Sequence, residues 1–278
     1  FVLLLAVAAG MILHSLKYRS QTVTGLAYAA AFLTIAISSL TQFSGIAAIP
    51  LLISLLTVSW KFGWQRLAAL GASFTYLAYG FDLATGDKDR YFVAIGEPLL
   101  WSYWVILELF DLAVLRKYRD GALASYLPVS PFNLTGFLLA TSAVWPRSGW
   151  TPGTMLITMA VAQLISAVMR GRRNANGDIE DVSVFGGYRA SLTFSACFAA
   201  AQILDRFSGL QQALALTLLA QIVALTGWML RSAYIKGLGA ALFLLPLGTV
   251  GRDWWHTSYA LLSVLGIANR TFFGGGPW

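Results

Sequence analysis

The stretch Leu99–Arg119, LLWSYWVILELFDLAVLRKYR, decides how the chain is read. Its apolar residues run long enough for a helix to cross ~30 Å of hydrocarbon. It ends on Arg116, Lys117 and Arg119, the basic flank that such a helix carries at a membrane surface. Inside it stand Glu108 and Asp111, and Glu97 lies eleven residues before Glu108. At about 100° per residue, separations of 11 and 3 put all three acids within about 60° of one helix face. An ionised carboxylate at the bilayer centre costs ~2.5–3.5 kcal/mol even on the lenient insertion scale. Such a face reads in two ways. It is a proton, ion or partner-binding face, or it holds acids neutralised at the nearby junction by Arg116, Lys117 or Arg119. Glu97, just before Pro98, also suits a helix start, where the dipole favours an acid.

The same pattern recurs along the chain. Of 278 residues, 58% are hydrophobic and 11% charged, whereas a soluble domain charges about a quarter of its residues. Apolar runs lie near 1–16, 21–40, 46–60, 67–81, 98–115, 127–145, 153–169, 190–204, 209–230, 234–250 and 256–269. They predict an all-α transmembrane fold of about eleven membrane-spanning helices in consecutive antiparallel hairpins. The whole of 1–278 reads as one polytopic membrane domain, and the apolar, non-Met start at Phe1 reads as a segment of a longer chain. Pro50, Pro98 and Pro246 fall within or at the start of runs, where membrane helices tolerate them by kinking. The odd-numbered junctions and the C-terminal side hold fourteen Lys and Arg, and the even-numbered junctions five. That alternation places the odd junctions and the C-terminus in the cytoplasm of a bacterial inner membrane, with residue 1 outside. Trp60, Trp64, Trp101, Trp104, Trp145, Trp150, Trp228, Trp254 and Trp255 fall near predicted span ends, as interfacial rings do.

The net charge of +7 is gathered in short clusters between apolar runs, which argues for membrane surface and against nucleic acid. Arg116, Lys117, Arg119, Arg170, Arg172 and Arg173 are accordingly expected to meet lipid headgroups. Residues 171–189, basic and then acidic with Gly and Asn, read as a cytoplasmic connector loop. Cys197 is alone, so no intrachain disulfide forms. His14 and His256 are too few and too distant for a metal site, and no cofactor is predicted.

Three junctions look alike: LHSLKYRSQTVTGLAYAAAF, TVSWKFGWQRLAALGASFTY and GWMLRSAYIKGLGAALFLLP. Each sets a short basic turn between two apolar helices, followed by small residues (Gly25 and Ala27, Gly71 and Ala72, Gly237 and Gly239) that let neighbouring helices approach closely. Lys17 and Lys61 are 44 residues apart, a two-helix period. Ser191, Ser195 and Ala199 make another small-residue stripe. In these turns, and in RSAYIKGLGAALFLLPLG, the chain resembles a family of large bacterial multi-pass membrane proteins of unknown function. The resemblance implies serial helix pairs joined by basic turns; it implies no catalytic residues.

Two further groups carry possible chemistry. Arg252, Asp253 and His256 form an outer-face polar cluster in GRDWWHTSY, where Asp253 and His256 at i, i+3 can pair as a general base. No G-x-S-x-G nucleophile turn accompanies it, and a Trp-Trp interfacial anchor explains it as well. Asp82–Arg90, DLATGDKDR, lacks the ligand count of a calcium loop and reads as a solvated loop. With no catalytic motif present, the leading expectation is a structural or accessory subunit of a membrane assembly, associated with the bilayer and other membrane subunits and leaning away from enzymatic activity. The alternatives are a transporter or channel using Glu97, Glu108 and Asp111, and an envelope acyl or glycosyl transferase using Asp253 and His256.

Overall fold

The computed structural model describes residues 20–37, 41–85, 90–117, 128–148, 152–173, 179–180, 187–252 and 254, with positions 10, 14, 17 and 19 besides. Among these residues the chain forms α1 (Gln21–Ile37), α2 (Thr41–Phe62), α3 (Gln65–Thr85), α4 (Arg90–Lys117), α5 (Ser130–Ser148), α6 (Pro152–Arg170), α7 (Tyr188–Arg206), α8 (Gly209–Met229) and α9 (Ala233–Leu242). The sole extended pairing among them is a two-residue antiparallel rung, Arg172 opposite Glu180 and Arg173 opposite Ile179. It falls in the expected 171–189 connector, and α7 begins at Tyr188, before that connector was expected to end.

The nine helices coincide with nine of the eleven apolar runs; 1–16 and 256–269 lie outside the continuously described residues. Among the described residues five segments are long and apolar enough to cross a membrane: Gly45–Phe62, Gly96–Lys117, Gly153–Arg170, Gly209–Met229 and Ala233–Arg252. α1 is apolar but shorter, at 17 residues. The last segment is α9 continued past a break at Phe243. Pro246 has no N–H to offer the carbonyl of Leu242, so the ladder is interrupted at that point.

Side-chain placement suits an integral membrane protein. α8 turns Leu214, Leu218, Ile222 and Leu225 outward, while Glu97, Glu108, Asp111, Asn133 and Arg170 are buried. Hydroxyls on exposed positions are satisfied within their own helices: Thr34, Thr57, Thr158 and Thr226 each donate to the carbonyl four residues back, at 2.6–2.8 Å. That is what hydrocarbon requires, because it supplies no partner of its own.

The chain divides into two compact units. The first contains α1 to α5, the stretch Ile165–Gly171 and residues 188–191; the second contains Pro152–Leu164, the rung, and the chain from Leu192 onward. In the first unit α3 packs on α1, α2 and α5, and α4 packs on α2 and α5. α4 starts at Arg90, well before the expected 98. Trp101 and Trp104 therefore fall inside the helix rather than at its end, and both pack against Phe137 of α5, with ring centroids 4.8 and 6.4 Å away. Gly136 lies directly against the ring of Tyr76, so α3 and α5 approach closely there. In the second unit α8 and α9 form a tight pair, with Ala196, Ala220 and Leu242 at its core.

The three similar junctions share a backbone device. Arg19, Gly63 and Arg231 have φ of 52°, 71° and 52°, and each stands two residues before a helix start. The left-handed residue reverses the chain, natural for Gly and a local cost of about 1–2 kcal/mol for Arg. After both arginines a serine caps the new helix: Ser20 Oγ accepts from the N–H of Val23, and Ser232 Oγ from that of Ile235, each at 3.4 Å. Eight residues beyond each turn residue stand Ala27, Gly71 and Gly239, all buried. A Cβ on Gly71 would come within 2.6 Å of the Leu55 side chain, and one on Gly239 within 2.6 Å of the Ala224 backbone nitrogen. Nothing lies within 4 Å of a Cβ on Gly237. Gly239→Ala is therefore expected to loosen the α8–α9 pair by about 1–3 kcal/mol, whereas Gly237→Ala is expected to be neutral or stabilising by up to about 1 kcal/mol. Thermal unfolding of the two variants in the same detergent checks the contrast.

Candidate functional site

α4 carries polar groups along its buried side to each helix it meets. Glu97, expected at a helix start, lies two turns inside α4, which begins at Arg90; it is 3% exposed, and its Oε2 has no hydrogen-bond partner among the described residues. One and a half turns on, the Tyr103 hydroxyl donates to the carbonyl of Gly45 in α2 at 2.5 Å. The Trp104 carbonyl accepts from Asn133 Nδ2 of α5 at 2.9 Å, and Asn133 Oδ1 accepts from the Tyr76 hydroxyl of α3 at 2.7 Å. One asparagine thereby ties three helices together, using an amide that offers both donor and acceptor.

Glu108 and Asp111 follow, and the group that answers them is Arg170, in the last turn of α6. Its Nη2 donates to Glu108 Oε1 at 2.5 Å and its Nη1 to Asp111 Oδ2 at 2.7 Å. Its Nε donates to Ser166 Oγ at 2.9 Å, one helical turn back in α6, and Ser166 in turn donates to Glu108 Oε1 at 2.5 Å. Ser191 Oγ lies 3.4 Å from Ser166 Oγ. Asp111 Oδ1 accepts from the backbone N–H of Val129, just before α5, at 2.9 Å. All of these residues belong to the first unit. Arg170 is 2% exposed, Glu108 4% and Asp111 fully enclosed.

The site differs from its expected form in the identity of the base. Asp111 and Glu108 were expected to be neutralised by Arg116, Lys117 or Arg119. Arg116 lies five residues past Asp111 and Lys117 six, about 140° and 240° around the helix, so neither shares the acidic face. Arg116 is exposed, and Lys117 donates to the Trp60 carbonyl at 3.0 Å with its ammonium 4.7 Å over the Trp60 ring. Arg119 lies outside the described residues. Arg170, expected at the headgroups, is instead enclosed in the protein. The burial of Glu97, Glu108 and Asp111 accords with their common face, but only the last two meet. Eleven residues of helix hold Glu97 roughly 16 Å from Glu108. Of the outer cluster, Arg252 is exposed, while Asp253 and His256 lie outside the described residues, as do the side chains of Arg172 and Arg173.

Two carboxylates face one guanidinium, and they are bonded unequally. Asp111 uses both oxygens. Glu108 receives two donors on Oε1, while its buried Oε2 has none among the described residues. Taking such a cluster out of water is expensive, and it holds together only while each charge keeps its partner. Arg170→Met should therefore destabilise the first unit by about 3–5 kcal/mol, because two buried carboxylates lose their cation. The triple variant Glu108→Met, Asp111→Leu, Arg170→Met should recover most of that loss, since apolar replacement of a whole buried ion group is often neutral. Reversible unfolding in mixed micelles, followed by circular dichroism, separates the two outcomes. No family model matches the chain, and no curated protein or solved structure is significantly similar to it, so the cluster is read from its own geometry.

Proposed function

We propose that the protein is a multi-pass structural or accessory subunit of a bacterial inner-membrane assembly, in which the Glu108–Asp111–Arg170 cluster locks helices together. The observation that carries this reading is that the cluster bonds the ends of α4 and α6 and the start of α5 to one another. The guanidinium spends its donors on Glu108, Asp111 and Ser166, and Asp111 is further tied to the backbone at the start of α5. Such a knot fixes the α4–α5–α6 ends in place. In a transport path the carboxylates would instead be exchanging partners.

The finer topology in this proposal has eleven spans in serial hairpins, odd junctions and C-terminus in the cytoplasm, and residue 1 outside. Two facts support it. The ends of α2, α4 and α6 lie side by side, joined by Lys117 to Trp60 and by Arg170 to Asp111, and all three lead into the more basic set of junctions. The turns at Arg19, Gly63 and Arg231 repeat one backbone geometry, which favours a hairpin array like that of the multi-pass family the sequence resembles.

A second reading, proton or cation transport along the acidic face, draws on the unpartnered buried oxygens of Glu97 and Glu108. One pair of measurements decides between the two. Purified in mild detergent, the full chain is expected to carry stoichiometric membrane partners, and Glu108→Gln is expected to leave ion flux into proteoliposomes unchanged. A chain that purifies alone and shows a flux abolished by Glu108→Gln, at normal abundance and helicity, overturns the subunit reading.

A further inference from the structure

We propose that the groove at the C-terminal ends of α2, α4 and α6, in the first unit, seats one anionic phospholipid from the surrounding bilayer, its phosphate on Arg116 and Lys117. The groove has a volume of about 440 Å³, within the range of small-ligand sites. Its α4 wall is Leu109, Leu112, Ala113 and Arg116, the i, i+3, i+4, i+7 stripe of one helix face. That stripe is apolar for two turns and cationic in the third, the polarity order of an amphiphile with an anionic head. Met169 of α6, 41% exposed, faces it across the groove, and Trp60 of α2 stands at the basic end.

Charge selects the occupant. Among the described residues no carboxylate lines the groove. The nearest acids on α4, Glu108 and Asp111, are turned inward and engaged with Arg170, whereas Arg116 is exposed on another face of the helix. Arg116 has no ion-pair partner among the described residues, and Lys117 is held in position over Trp60. A zwitterionic headgroup gains little from such a pair. An anionic phosphodiester gains both charges, and its acyl chain covers Leu109, which is 56% exposed. The site needs only the membrane setting and does not depend on the subunit reading.

The test is lipid retention by the full chain, measured by native mass spectrometry from nanodiscs of equimolar phosphatidylglycerol and phosphatidylcholine with matched acyl chains. The wild type is expected to keep one phosphatidylglycerol in preference to phosphatidylcholine. Arg116→Gln with Lys117→Gln is expected to cut that preference about thirtyfold, at about a factor of five per basic residue near the surface. Should loss of the Trp60 contact unfold the double variant, Arg116→Gln alone carries the charge test at an exposed position, with about a fivefold loss. Ala113→Trp fills the groove without altering charge and is expected to abolish retention. Equal retention of the two lipids overturns the proposal, as does retention unchanged by Ala113→Trp. Displacement of the lipid by millimolar inorganic phosphate overturns it too, since that marks a phosphate site with no acyl seat.

Discussion

A guanidinium enclosed between two carboxylates, with almost no exposure to solvent, can persist only if its charge is cancelled within hydrogen-bond distance. Much of the first unit's geometry follows from that constraint. Arg170 reaches Glu108 and Asp111 together only if the last turn of α6 lies against the last third of α4. Asp111 keeps its second oxygen satisfied only if the chain before α5 returns past the same place to present the Val129 N–H. Three helix ends are thereby fixed by one residue. In water the three groups would contribute little to stability, because solvent competes for every bond. In hydrocarbon or protein interior the same arrangement is costly to open, because each partner left behind is an unpaired buried charge.

The helices and the acidic face were legible in the sequence for a simple reason. Apolar length and 3.6-residue periodicity are local properties, and Glu97, Glu108 and Asp111 sit on one helix whose geometry fixes their relative directions. The partner of the acids was not legible, because Arg170 is about sixty residues away and stands at the end of an apolar run. There, an arginine that snorkels outward and one that turns inward look the same in sequence. One signal pointed the right way. Arg116 and Lys117 are on the wrong side of α4 to serve Asp111, so the acids required a base from another helix. Ser166, one turn before Arg170, supplies the neighbouring hydroxyl that makes the inward direction favourable. Asn133 and Tyr76 escaped notice for a related reason. A single amide or phenol in an apolar run is unremarkable until the tertiary fold sets the two against each other.

The turns were more readable, although their register was not. Small residues following the basic junctions suggested close packing, and all of them looked equivalent. The structure separates them by what surrounds each one. At eight residues beyond the left-handed residue Ala27, Gly71 and Gly239 are buried, Gly71 against Leu55 and Gly239 against Ala224 of the preceding helix. Gly237, six residues beyond Arg231, has open space around it. Close approach in lipid rests on van der Waals contact rather than hydrophobic drive. Which small residue faces a neighbour therefore has more influence on packing than glycine content as a whole.

α4 illustrates how one helix holds opposite charges within two turns without their cancelling each other. Asp111 and Arg116 are close in sequence, and on a flexible chain they would pair. The helix holds them about 140° apart, directing the acid into the bundle and the base toward the groove. The inner acids are bonded to a cation from α6, while Arg116 stays exposed on the outer face. The inner ion cluster and the outer basic rim thus lie on different faces of one helix: Arg170 answers the acids on the inner face, and on the other Lys117 reaches the Trp60 carbonyl at the end of α2.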